Sequence, residues 1–408
     1  MRISLLGHKD HGKSTLIGRM LLETGSMTAD RVREARETSE SLGLGFEPAF
    51  LLDSFVEERQ GGFTLDMTVA KVSHRGTLLT LIDVPGHREL VKNMLSGASM
   101  ADAAILIVSA KSGEGLQDET RLHVYLAGML GIRKIIVAIN KMDAAGYSEE
   151  VFRSIRGEIG RLLESYGFAP GQSDFVPICA RDGDNVLSPS SRMPWHMDGT
   201  LMEKIGRLPR AGASGERPAR MFVQDVYEMG GEKLAVGRID CGSFHQGDDV
   251  MLGPSGAVSK IGAILCPDGT QAQKAGEGQN VAVRLENSDG LRRGCVLMDA
   301  GTARPASKRL RARIFCFPDS GFSEGGRISV ACSSQESGGK ISEVISRINP
   351  VADRAERHGP GPVSGGEAAE VLLELDGALV FESFADVRPT GRFVISKGGK
   401  IAGVGVVI

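Results

Sequence analysis

The sequence predicts an α/β protein: a doubly wound parallel-sheet domain built around a phosphate-binding loop, followed by two antiparallel β-barrels. Three observations carry that prediction. Short apolar runs alternate with helical stretches from Met1 to about Arg207, and a glycine-bracketed loop, GHKDHGKST, follows the first of those runs. After Arg217 the character changes to short β-type runs separated by Gly, Asp, Asn and Pro, as in AVGRIDCGSFHQGDDVMLGPSG. Strands alternating with helices build a parallel sheet with its ligands at the carboxyl ends of the strands. Many short strands punctuated by turn residues build barrels or sandwiches.

The first element is the apolar run Ile3 to Leu6, suited to a buried parallel strand, and Ser14 to Leu22 has helical periodicity. The loop between them therefore opens a helix, where anions are favoured. Gly7, Gly12, Lys13 and Ser14 match G-x-x-x-x-G-K-[ST], whose amides and lysine surround nucleotide phosphates and whose hydroxyl reaches Mg²⁺. The nucleotide-binding set here is Asp10, His11, Gly12, Lys13, Ser14 and Thr15. Metal ligation by His8, Asp10 and His11 would need further ligands that the neighbouring sequence lacks, so both histidines read as loop residues or supports behind the phosphates. RVREARETSESLG, after Asp30, reads as a solvated helix.

LTLIDVPGHREL places Asp83 at the end of an apolar run, followed by a Pro-Gly turn and His87. An aspartate there can hold Mg²⁺ through water, the Gly86 amide can sense a terminal phosphate, and His87 can orient an attacking water. AAILIVSA from Ala103, KIIVAIN from Lys134 and DFVPICA from Asp174 continue the strand pattern, with a helix over Glu149 to Tyr166. AINKMD supplies a base selector: Asp143 can accept hydrogen bonds from the N1–H and exocyclic amine of guanine, Asn140 can bond the purine, and the Lys141 stem can pack along the ring. Adenine leaves that carboxylate unmatched, and such polar pairs reject the wrong analogue by roughly 10⁴-fold. In CAR, Cys179 and Ala180 fall where a strand-end loop can offer the Ala180 amide to the guanine carbonyl.

LPRAGASGERP breaks the periodicity, which divides the chain into a nucleotide domain over 1–207, a linker over 208–217, a barrel over 218–302 and, after the interruption GTARPAS, a second barrel over 308–408. The whole has 408 residues, 41% hydrophobic and 24% charged, enough to bury sizeable cores. A net charge of −3 argues against coating nucleic acid nonspecifically, so any RNA contact must be regional. KRLRAR, from Lys308 to Arg313, reads either as such a contact or as a charged edge strand that resists aggregation. The six cysteines form no C-x-x-C pair, which suggests reduced structural thiols and no zinc site. The start of the chain shows no charged-then-apolar leader, and no apolar run approaches the roughly 18 residues of a membrane span. A cytoplasmic protein without membrane contact is expected.

GHKDHGKST, DVPGH and NKMD together resemble the translational GTPase superfamily, and the resemblance extends over nearly all of the chain. It implies a GTPase domain that binds GTP or GDP with Mg²⁺. It also implies that Asp10 supports the phosphate loop and an associated cation, and that Thr64, in GGFTLD, closes on Mg²⁺ with GTP bound. PGHRELVKNMLSGAS and RMFVQDVYEMGG look like elongation factor 1-alpha, whereas TRLHVYLAGMLGIRKIIVAINKMD and GDDVMLGPSG look equally like the GTPase subunit of bacterial ATP sulfurylase. The two branches imply different partners: the ribosome and tRNA, or the catalytic subunit of sulfate adenylyltransferase. A monomer is expected when free. Three positions depart from the pattern. Lys9 and Phe63 replace small aliphatics that flank the catalytic histidine, and Gly61 replaces the switch arginine. Altered control of His87 is expected, with binding but little hydrolysis as a third reading; Lys9 either nears phosphate or points to solvent.

Overall fold

The computed structural model describes residues 1–41, 43, 45–52, 68–83, 101–208, 217–352 and 357–408. Gly61, Phe63, Thr64, Gly86 and His87, with linker positions 209–216, lie outside the described residues. The chain divides into two compact units, Met1–Ala213 with Pro350–Ala355, and Ser214–Asn349 with Glu356–Ile408.

The first unit is a six-stranded sheet: β1 (Arg2–Leu6), β2 (Thr68–His74), β3 (Thr77–Asp83), β4 (Ala103–Ser109), β5 (Ile135–Asn140) and β6 (Asp174–Pro177), in the order β2-β3-β1-β4-β5-β6. All neighbours are parallel except β2, which pairs antiparallel with β3 at the edge. β4 and β5 are buried throughout, as AAILIVS and IIVAIN require when helices cover both faces of a sheet. The α-helices among the described residues are α1 (Lys13–Glu23), α2 (Ala29–Ser41), α3 (Asp118–Met129), α4 (Glu149–Ser165) and α5 (Leu201–Gly206). α4 starts where the Ser148 side chain accepts the Val151 N–H, with Glu149 and Glu150 in the first turn, where the positive end of the helix dipole favours acids. α5 begins with a capping box between Thr200 and Glu203. Trp195 packs its ring 5.3 Å from Phe152 of α4 and donates its indole N–H to the Tyr147 carbonyl.

Register places the chemistry. Leu5 lies opposite Asp83 across β1 and β3, and Ser109 opposite Asn140 across β4 and β5, so four strands end at one edge of the sheet. Strand order reverses beside β1, which is where an open α/β sheet forms its ligand crevice.

The second unit holds two closed barrels. In the first, β7 (Arg220–Met229), β8 (Glu232–Cys241), β9 (Asp249–Gly253), β10 (Ala257–Leu265), β11 (Asn280–Leu285) and β12 (Val296–Asp299) close in the ring β9-β12-β7-β8-β11-β10. The second comprises β13 (Ser307–Cys316), β14 (Arg327–Cys332), β15 (Gln335–Ile348), β16 (Ala368–Leu379), β17 (Arg392–Lys397) and β18 (Lys400–Val407), in the ring β14-β17-β18-β13-β16-β15. Closure removes sheet edges, the main hazard of an all-β fold. It also corrects one expectation. β13 carries KRLRAR between β16 and β18, so that strand is no edge, and Arg309 and Arg311 face Glu374 and Glu370 of β16. Fully buried Arg220 joins the two barrels through Glu382.

Candidate functional site: a nucleotide crevice at the strand ends

The loop after β1 reaches its shape through glycine. Gly7 has φ +133°, and a Cβ there would meet the Ile107 carbonyl oxygen at 2.3 Å; at Gly12, φ +90°, it would meet the Asn140 side-chain nitrogen at 2.4 Å. Only glycine lets the loop lie this close to β4 and β5. Lys13, 5% exposed, donates from Nζ to the carbonyls of Gly7 and His8, both at 2.9 Å. Burial lowers its pKa, partly offset by Asp83 and Asp10. An incoming phosphate restores the favourable environment that the ammonium has lost.

Ser14 Oγ donates to Asp83 Oδ2 at 3.0 Å. The other carboxylate oxygen, Oδ1, is buried with no hydrogen-bond partner among the described residues. Burial raises the Asp83 pKa, against the opposing pull of Lys13 and Ser14. A buried oxygen without a hydrogen-bond partner beside a hydroxyl is a hard-oxygen donor set whose chemistry fits Mg²⁺.

The base side is organised by Asn140, which is buried and spends its groups on the protein. Its Nδ2 donates to the His11 carbonyl at 2.8 Å, and its Oδ1 accepts the Ala180 N–H at 2.9 Å. Asparagine thereby ties the phosphate loop to the CAR turn, and the Ala180 amide is already engaged. Asp143 stays partly open, its Oδ1 accepting the Cys179 thiol at 3.3 Å and its Oδ2 paired with Arg181 at 3.1 Å. Burial pushes the Cys179 thiol up to about 12, so it donates as a neutral group.

Thr15 Oγ1 donates to Glu47 at 2.9 Å; Asp10 and Lys9 are exposed. Buried His11 sets Nδ1 3.2 Å from the Ile107 carbonyl and Nε2 3.1 Å from that of Glu114. Burial lowers its pKa despite both carbonyls. A neutral ring donates to only one of them.

Three supports do not stand out in the sequence. His123 of α3 accepts the Gly7 N–H on Nδ1 at 3.0 Å, and Arg19 of α1 donates to the Ala180 carbonyl at 3.2 Å. Glu114 receives Lys141 Nζ at 2.6 Å. A lone histidine in the apolar helix TRLHVYLAGML was the one available signal for the first.

The candidate phosphate-loop residues and the candidate base-selecting residues thus lie at the carboxyl ends of neighbouring strands, the arrangement of the phosphate-loop GTP-binding proteins. Residues 1–211 match the family described as elongation factor Tu GTP binding domain, and residues 309–408 the family described as GTP-eEF1A C-terminal domain-like. The protein named elongation factor 1-alpha in Sulfolobus acidocaldarius is 36% identical over 427 residues, covering 100% of this chain and 96% of its own. Its namesake in Methanothermobacter thermautotrophicus is 32% identical over 412 residues, covering 100% and 97%. A solved structure described as Sup35 complexed with GMPPNP has a TM-score of 0.45 and 23% identity, covering 100% of this chain and 93% of that one. The chain belongs to the elongation factor Tu-type family of GTP-binding proteins.

Proposed function

We propose that this chain is a GTP-hydrolysing switch of the elongation factor 1-alpha type, acting with tRNA at the ribosome in the cytoplasm. The observation that carries the reading is the Ser14–Asp83 pair, a Mg²⁺-type donor set whose Oδ1 has no hydrogen-bond partner among the described residues. Bound Mg²⁺ would neutralise charge on the phosphate oxygens, held by Ser14 and by Asp83 through water, with Thr64 joining them. Lys13 would turn from its two carbonyls towards the phosphates. His87 would orient a water for attack on the terminal phosphorus. A new O–P bond forms as the bridging bond to the leaving GDP breaks, and the loop amides at the start of α1 receive the departing charge.

Unassisted turnover should be slow, on the order of 10⁻⁴ to 10⁻² s⁻¹, because a switch lacks part of its transition-state stabilisation when alone. Single-turnover GTP hydrolysis with and without ribosomes tests the reading, together with GTP-dependent protection of an aminoacyl-tRNA ester. Stimulation by ribosomes with ester protection supports it. Co-purification with the catalytic subunit of sulfate adenylyltransferase, without ester protection, overturns it in favour of the metabolic role. Tight GTP binding with no stimulated cleavage leaves a binding module.

A further inference from the structure

Residue 114 lies in the turn after β4, outside every motif of the nucleotide site, yet its carboxylate accepts three side-chain hydrogen bonds beside it. Glu114 Oε2 accepts from Lys141 Nζ at 2.6 Å and from Ser109 Oγ at 2.8 Å, while Oε1 accepts from Lys111 Nζ at 2.8 Å. Its carbonyl accepts the Gln117 side chain at 2.8 Å and faces His11 Nε2 at 3.1 Å. One residue therefore touches the base-reading loop with its carboxylate and the phosphate loop with its backbone. Partial burial works against the charge, but hydrogen bonds from Lys111, Lys141 and Ser109 prevail and hold the carboxyl down at about 2.

Lys141 needs such a support. It adopts the left-handed conformation, φ 60° and ψ 38°, directly after β5, where a residue with a side chain is uncommon. That backbone aims the stem, but four rotatable bonds leave the ammonium undirected unless an anion receives it. Glu114 is that anion, and Ser109 at the end of β4 braces it from below. Without the carboxylate, Lys111 and Lys141 would face each other as like charges.

We propose that Glu114 is a positioning residue of the nucleotide site: its carboxylate anchors Lys141 so that the lysine stem lies ready along the purine face. The inference rests on the guanine-nucleotide reading above. Its signature is dependence on Lys141, which a general structural role would not produce.

The experiment titrates a fluorescent N-methylanthraniloyl GDP into full-length wild type, Glu114→Gln, Lys141→Met and the double variant, with Mg²⁺. Glu114→Gln should weaken binding about 10-fold, the scale of losing a hydrogen bond to a charged group. In the Lys141→Met background the same change should add nothing. Adding Lys111→Met to Glu114→Gln should restore part of the affinity by removing the like-charge neighbour. Glu114→Asp serves if Glu114→Gln fails to fold, and should give a smaller loss with the same dependence on Lys141. Unchanged affinity in Glu114→Gln, or losses that multiply fully in the double variant, overturns the proposal. No uptake by folded wild type would instead overturn the nucleotide reading itself.

Discussion

The buried imidazole of His123 accepts the backbone N–H of Gly7 at 3.0 Å across 116 residues of chain, so the phosphate loop rests on α3 as well as on its own strand. Burial lowers the His123 pKa to about 3, with the charge of Lys13 adding to the effect, so the ring is neutral and its proton sits on Nε2.

Replacing His123 by leucine leaves a buried N–H without an acceptor at the first glycine of the loop. The cost should be about 1 to 3 kcal/mol, read as roughly 10-fold or greater weakening of GDP binding by calorimetry. His123→Gln, which retains an acceptor oxygen, should recover part of it. Wild-type affinity in the leucine variant would show that the loop does not depend on this bond.

The same histidine links stability to pH. The unfolded chain takes up its proton near pH 6.5 and the folded chain only near 3, so the unfolded state holds more protons between those values. His123 therefore contributes its full stability above about pH 6.5 and loses it progressively as pH falls towards 3. Urea midpoints for the first unit, taken from pH 7 to pH 4.5, should fall more steeply in wild type than in His123→Gln. Parallel profiles would mean that the ring titrates normally.

In the proposed site Asp143 selects the base, and its oxygens are held by Cys179 and Arg181. Asp143→Asn should weaken GTP binding and improve binding of xanthosine triphosphate, whose exocyclic oxygen needs a donor. A competition titration reads both at once. If guanine preference survives intact, this carboxylate does not read the base.

Between the barrels, every guanidinium N–H of Arg220 has an acceptor: Glu382 at 2.9 and 2.7 Å, the Thr302 carbonyl and hydroxyl at 2.8 and 3.2 Å, and the Ala219 carbonyl at 2.8 Å. Thr390 donates to the same carboxylate at 2.7 Å. Glu382→Ala strands a buried cation and should destabilise the second unit by about 3 to 5 kcal/mol. The pair replacement Arg220→Met with Glu382→Leu should lose far less, because no charge is left unpaired. Calorimetry of the full chain would separate the two; equal losses would mean that packing, and not charge, dominates.

Much of the fold was legible because its signals are local. Ile3 to Leu6, AAILIVSA and KIIVAIN could bury both faces only in a covered sheet, and the turn-rich second half could close only as β structure. The edge-strand reading of KRLRAR failed for the complementary reason: composition shows that a strand is charged, but pairing with β16 and β18 decides whether it lies at an edge. The NKMD spacing likewise could not show that Asn140 bonds backbone groups 129 and 40 residues away.

The sequence by itself determined where the glycine-rich loop, the strand-end Asp83 and the candidate base-selecting Asp143 fall, since each depends on residue types at short fixed spacing that one turn of backbone converts directly into geometry. Tertiary structure alone decided which groups stand behind them. His123 under Gly7, Glu114 against Lys141 and Glu382 against Arg220 are separated by 116, 27 and 162 residues. Their partners are chosen by burial: a polar group taken from water must be met by whatever complementary group the packed chain brings within reach, and no local spacing records which one that will be.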